Sequence, residues 1–447
     1  MIHPRCSPIC PVRITGLFAA VLLLLWCRLL GARCPSLADY VTGDGRPRTG
    51  DPRGRVLMLL SLRCRVSHRT ASREKWGRRA DRRMSMSKHK RLFLARLSLA
   101  PVAGLLLLTT FLIGSAASAI TYTVIDLATL AQGATVVVRG PNGAGDAVGG
   151  GRVAGARRGL IFTRGGLFQV NGLTGSDYTT AFGFNDVGAV VGGSNTAAAV
   201  RAFLATQSGG TRELPPLAGD TGSTAFAVNN QGQAVGFSSG RGGERAVLWA
   251  ADGTVTALPS VSGATIRALG INDRGDVVGV ADTGVGRRAI LWSPGRAARD
   301  LGTLPGHITG EAVGVNARGD IVGYSADAIG TRRATLWQSG GGLVDLGTLP
   351  GGDFSQALGI NDRGDIVGTS TSSVGDRAFL WTPTVGLQDL NDLIVPSSVV
   401  LTQAVGINTR GMIVAIGHDA GGEAGPHGHD AHEVPVRVFL LLPPGVP

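Results

Sequence analysis

Beyond Cys64 the chain has no cysteine, and beyond Lys90 it has no lysine. The first absence excludes a disulfide scaffold or a thiolate zinc site from residues 120–447. The second leaves the glycine-rich stretch at residues 143–155 without the lysine that a phosphate-cradling loop uses. Excess positive charge is missing from the same region. Residues 120–447 carry 22 arginines against 26 acidic residues, a net charge of −4, whereas residues 1–119 carry 21 Lys and Arg against 5 acids. The formal charge of +12 for all 447 residues therefore belongs to the first part of the chain. Nucleic-acid binding needs a basic face on the folded part, so that class is excluded. What is abundant is glycine, with 69 residues, and apolar mass, at 43%. Together they point to many tight turns around a large core.

Two leader-like segments precede that region. From Met86 the chain reads Lys88, His89, Lys90 and Arg91, then an apolar run at residues 97–113, then Ala117, Ser118 and Ala119. A basic start, an apolar run and an A-x-A site make residues 86–119 a secretory signal peptide, with a retained anchor as the alternative. Upstream, residues 14–26 form a second apolar stretch, and residues 44–83 hold twelve arginines with little periodicity. Residues 1–85 read as an upstream extension from a start codon placed too early, with Met84 or Met86 as the true start. The competing reading is an inner-membrane anchor at residues 14–30 followed by a basic leader. Neither contributes to the fold.

Internal repetition organises residues 120–447. The segment GINDRGDIVG at residue 359 recurs from residues 140, 183, 227, 270, 314 and 406, at spacings of 43, 44, 43, 44, 45 and 47. Seven units of this length match the period of propeller blades. Each keeps an Asn and, three residues on, a Gly, from Asn142 and Gly145 to Asn408 and Gly411. An Asx side chain opening a turn and a Gly supplying positive φ make a β-hairpin loop. A second element follows, seen as RAFL at Arg201, RAVLW at Arg245, RAILW at Arg288, RATLW at Arg333, RAFLW at Arg377, RVFLL at Arg437 and RGLIF at Arg158. Such near-continuous apolar runs are strands covered on both faces. A third element ends in Asp-Leu, as at Asp300, Asp345 and Asp389. Four strands in each of seven units give an all-β, seven-bladed propeller.

The ends of this region carry the closure. Residues 122–130, YTVIDLATL, are an Asp-Leu strand with no Arg-Ala strand before them, and the chain finishes just after the Arg-Ala strand at Arg437. Residues 122–127 are therefore predicted to pair with residues 436–442 and close the ring, which removes exposed strand edges. In RAILWSPGRAARDL the hairpin places Arg288 opposite Asp300, and Arg333 and Asp345 match them. This predicts one cross-strand ion pair in each blade, with Arg437 meeting Asp126 at the closure.

The GINDxGxxVG hairpin, the x-A-F-L-W strand and the DLGTLPG segment, recurring in phase over residues 122–442, resemble the HAF-repeat family of extracellular bacterial proteins. That family usually has His where this chain has Arg201 and Arg377, and many relatives end in an envelope-sorting tail that is absent here. The resemblance implies an exported repeat protein of unassigned biochemistry and supplies no catalytic residues.

Several motifs invite functional readings that the repeat absorbs. Arg-Gly-Asp at Arg274, Arg318 and Arg363 occupies one hairpin position and is a turn. Residues 236–240 fit G-x-S-x-G but lie at a strand end, where the nucleophile elbow needs a strand turning into a helix. Trp249, Trp292, Trp337 and Trp381 share one repeat position and are packing residues. One segment breaks the pattern: residues 417–433 hold His418, Asp419, Glu423, His427, His429, Asp430, His432 and Glu433. Imidazole and carboxylate suit zinc, copper or nickel, whereas a solvated loop is the plainer reading. No catalytic or cofactor-binding residue is assigned, no cofactor is implied, and metal binding is left open.

The sequence thus points to an exported monomer, secreted or periplasmic, that acts as a non-enzymatic binding or scaffold module. An unidentified ligand is expected at the rim loops or central channel, with no nucleic acid and no membrane association after signal cleavage. The alternative is a propeller hydrolase or lyase acting on envelope polysaccharide. Its acids would be carboxylates out of phase with the repeat, such as Glu213, Glu244, Glu311 and Asp353.

Overall fold

The computed structural model describes residues 121–446 apart from 131–136, 154, 262–264, 285, 396–397 and 421–435. The leader segments and most of the histidine-rich insertion therefore lie outside the described residues. Seven four-stranded antiparallel sheets form the ring of a seven-bladed β-propeller. The innermost strands are Val137–Arg139, Thr179–Phe184, Gly222–Val228, Thr265–Ile271, Thr309–Val315, Ser355–Ile360 and Val399–Ile407. They are numbered here as blades 1 to 7. In blades 1 to 6 the strands run outward in chain order.

The repeat hairpin forms for the reason its residues give. In blade 4 the Asn272 side-chain oxygen accepts from the amides of Arg274 and Asp276 at 3.0 and 2.9 Å, which caps the turn. Gly275 then takes φ of 80°, a conformation that other residues rarely adopt. The same asparagine also reaches the next blade. Asn185, Asn229, Asn272, Asn316, Asn361 and Asn408 each donate Nδ2 to the carbonyl of the following repeat asparagine, at 2.8–3.2 Å. The last bond runs from Asn408 of blade 7 to Asn142 of blade 1. These side chains are thus both turn caps and links between blades.

The Arg-Ala strands fill the wedge between neighbours, as their apolar runs predict. Trp249, Trp292 and Trp337 are buried, and their indole N–H groups donate to carbonyls of Pro215, Pro259 and Gly302 at 2.7, 2.9 and 3.1 Å. Trp381 is half-buried in a core cluster with Phe379. The burial of Trp249, Trp292 and Trp337 between blades leaves those three no face for stacking a sugar.

Ring closure matches the phase of the sequence. Thr123–Leu130 is the outermost strand of blade 7, antiparallel to Val436–Leu442. The pairing extends past residue 127 to Leu130, and Tyr122 lies outside it, bridging Ile394 instead. Arg437 pairs with Asp126, as expected, and also with Asp419.

The one-pair-per-blade expectation needs correction. Pairs occur in blades 2, 4, 5, 6 and 7: Arg201 with Glu213, Arg288 with Asp300, Arg333 with Asp345, Arg377 with Asp389 and Arg437 with Asp126. In blade 3 Arg245 turns to Asp220 at 2.8 Å, and in blade 1 Gln169 stands where the acid would be. The geometry also differs, because Asp300 lies opposite Ile290 and Arg288 reaches it diagonally. Long arginine side chains span that diagonal comfortably.

Candidate functional site

Each inner strand of blades 2 to 7 carries a bulge between a buried alanine and a following glycine or alanine. Examples are the register shifts at Ala181/Gly183, Ala225/Ala227, Ala268/Gly270 and Ala357/Gly359. The extra residue escapes the two-residue alternation and lines the axial channel. Phe182, Phe226, Leu269, Val313, Leu358 and Val405 occupy this position around a cavity of about 440 Å3. The glycine after the bulge lets neighbouring blades approach. A Cβ on Gly406 would stand 1.7 Å from the Gly140 carbonyl oxygen, so no other residue fits there.

In blade 1 the same position holds Arg139, a cation in a ring of apolar side chains. Its Nη1 donates to the Val138 carbonyl at 3.0 Å, and no carboxylate among the described residues lies within ion-pair distance. The side chain is open to channel water but walled by the inner strands, and this desolvation pushes its pKa below the usual arginine value. Blades 2 and 3, next around the ring, supply aromatic wall. The Phe182 and Phe226 rings meet edge-on at 5.4 Å, and Phe237 lies 5.8 Å beyond Phe226. The repeat symmetry is therefore broken on one arc of the channel, by a cation beside aromatics.

Toward the hairpin end the channel narrows to the repeat asparagines and a mouth bearing Asp186, Asn230, Asp273 and Asp362. These groups are committed to the ring. Asp186 accepts from the Gly143 amide at 2.6 Å, Asp273 from the Asn230 amide at 2.8 Å and Asp362 from the Ala317 amide at 2.7 Å. A second hollow of about 520 Å3 lies between blades 4 and 5, lined by Arg274, Arg296, Arg299 and Arg318. Arg274, Arg318 and Arg363 each pair with the aspartate two residues on, so every Arg-Gly-Asp turn closes on itself.

The carboxylates proposed for an enzyme are dispersed and occupied. Glu213 is in phase with the repeat, holding the Asp300 position and pairing with Arg201 at 2.9 Å, which corrects the out-of-phase expectation. Glu244 clasps Arg267 of the next blade through a second contact of 2.7 Å, and Glu311 holds Arg287 at 3.1 Å and the Tyr324 hydroxyl at 3.2 Å. Asp353 accepts from the Thr371 hydroxyl at 3.0 Å. Ser238 of the G-x-S-x-G segment is buried within the strand Ala234–Gly240 and donates to Asp220 at 2.6 Å. Of the insertion, His418 and Asp419 are described. His418 Nδ1 lies 3.0 Å from the Asp419 carbonyl, and the Asp419 carboxylate pairs with Arg437. Its other six ligand candidates lie outside the described residues.

Arg139 is the residue that motif reading missed. Its signal was present, since aligning the seven units sets Arg139 in the column of Phe182, Phe226, Leu269, Val313, Leu358 and Val405. That the column faces a channel depends on the bulge, which the sequence does not announce.

No protein family and no curated relative matches the chain. Among solved structures it is similar to YCF48 bound to a D1 peptide, at 12% identity over 72% of this chain and 94% of that one, with a TM-score of 0.41. It is also similar to TolB from Acinetobacter baumannii, at 14% identity over 64% and 76%, with a TM-score of 0.38. A gluconolactonase from Xanthomonas campestris aligns at 12% identity over 74% and 93%, with a TM-score of 0.35. At these scores the likenesses add nothing to a functional reading. Among the described residues, no helix is long and apolar enough to cross a membrane.

Proposed function

We propose that this chain is an exported, non-enzymatic ligand-binding propeller, working in the periplasm or outside the cell, with its site in the axial channel. The observation that carries this reading is the broken symmetry of the channel wall, where Arg139, Phe182 and Phe226 interrupt an otherwise aliphatic ring around a cavity of about 440 Å3. A hollow of that size, walled by apolar side chains with a few placed polar groups, here Arg139, Glu311 and Gln356, is the usual form of a small-molecule site. Export is inferred from residues 86–119, and the in-phase repeat supports membership of the HAF-repeat family. The committed state of Glu213, Glu244, Glu311 and Asp353 favours binding over polysaccharide cleavage.

Glycan arrays together with generic glycosidase substrates test the reading. The expected outcome is no turnover, with any ligand retained by the protein lost when Val313→Trp fills the channel. Turnover that disappears in Glu244→Gln or Glu311→Gln, or retention that survives Val313→Trp, would overturn it.

A further inference from the structure

The Arg139 guanidinium faces channel water, so the fold does not oblige it to be paired; what it offers is a set of hydrogen-bond donors held in a recess. Arginine at this position has no partner that explains it. The other charged residue lining the cavity, Glu311, is held by Arg287. Arg139 spends one donor on a neighbouring carbonyl, which leaves the rest of a planar five-donor fork without a carboxylate. Six blades put an apolar residue here without loss to the fold, so the ring does not require an arginine.

We infer that the channel receives an aromatic carboxylate, its carboxylate paired with the Arg139 guanidinium and its ring against Phe182 and Phe226. The inference rests on the channel reading above and names its ligand class. A guanidinium fork matches a carboxylate in two parallel hydrogen bonds, a geometry that lysine would not supply. The edge-on Phe182 and Phe226 pair offers an aromatic wall on the blades that follow Arg139, where the body of such a ligand would lie. Asp186, Asp273 and Asp362 at the hairpin mouth oppose entry of an anion from that side, so approach is favoured from the opposite mouth.

Calorimetric titration of the purified protein with naphthoate and with its neutral counterpart naphthylmethanol tests this. The wild type should bind naphthoate about tenfold or more tightly than the alcohol, and Arg139→Met should abolish that preference while leaving the alcohol's affinity unchanged. Equal affinities in the wild type, no binding of naphthoate, or a preference that survives Arg139→Met would overturn the inference. If the two probes bind equally and both are lost in Val313→Trp, the carboxylate site falls while the channel reading stands. If naphthoate binds Val313→Trp as well as it binds the wild type, both fall. Without any probe, the thermal midpoint of Arg139→Met should equal or exceed that of the wild type. A lower midpoint would make Arg139 a structural residue and sink the inference.

Discussion

A repeat asparagine such as Asn272 serves two partners at once. Its oxygen caps its own turn through two amides, and its Nδ2 bonds the Asn316 carbonyl of the next blade at 2.9 Å. It also bonds the Asp276 carboxylate at 3.1 Å. Burial works to raise the pKa of Asp276, but hydrogen bonds from Ser293, Asn272 and Arg274 outweigh it and hold the carboxyl below its usual range. Asn272→Ala strands buried amides and a carbonyl together, so it should cost about 1–3 kcal/mol in urea unfolding. An equal loss in Asn272→Asp, which retains the cap oxygen, would assign the loss to the Nδ2 side of the amide and not to the cap. The cap was legible from Asn and Gly spacing. The link was not, because its partner lies 44 residues away.

Among elements, the Arg-Ala and outer strands show how a correct pairing can carry a different geometry. The apolar runs and the Asp-Leu endings locate the strands, but the register sets Asp300 against Ile290 and makes the ion pair diagonal. Asp300 and Asp126 side chains are 40% and 38% exposed, so solvent screens both pairs to a similar degree. Asp126→Arg should therefore lower stability by about as much as Asp300→Arg, roughly 0.2–1 kcal/mol each for the lost pair. Urea midpoints of the two variants give the comparison, and a silent Asp126→Arg would mean that the outer strand of blade 7 is not held there in solution.

At the scale of the whole molecule, closure joins three contacts far apart in sequence. These are the Thr123–Leu130 strand, the Asn408 to Asn142 bond and the close approach of Gly406 to Gly140. Tyr122 anchors the seam, since its amide donates to the Leu393 carbonyl at 2.7 Å and its ring is buried with Leu390, Leu393 and Phe439. Burial, reinforced by the nearby Asp365 carboxylate, pushes the phenol up to about 12. The unfolded chain's phenol titrates near ~10. The fold thus favours the neutral phenol, and this contribution is complete below that lower value and is lost as the pH rises through about 12. Stability measured against pH should fall more steeply in the wild type than in Tyr122→Phe across this alkaline window, with the curves parallel at neutral pH.

The sequence by itself determined the number of blades, the four strands of each and the partner that closes the ring. Those properties follow from local turn chemistry, from apolar runs and from the phase of the repeat at the two ends, all of which are written in residue order. Only the tertiary structure decided which side chains face the axis. A bulge in the inner strands of blades 2 to 7 turns one residue out of the alternating pattern, and these six residues converge with Arg139 of blade 1 on a common hollow from positions 43 to 47 apart in the chain. Arg139 is a single letter in a short strand until that convergence sets it beside apolar side chains on the channel wall, because which groups become neighbours is a property of space and not of order along the chain.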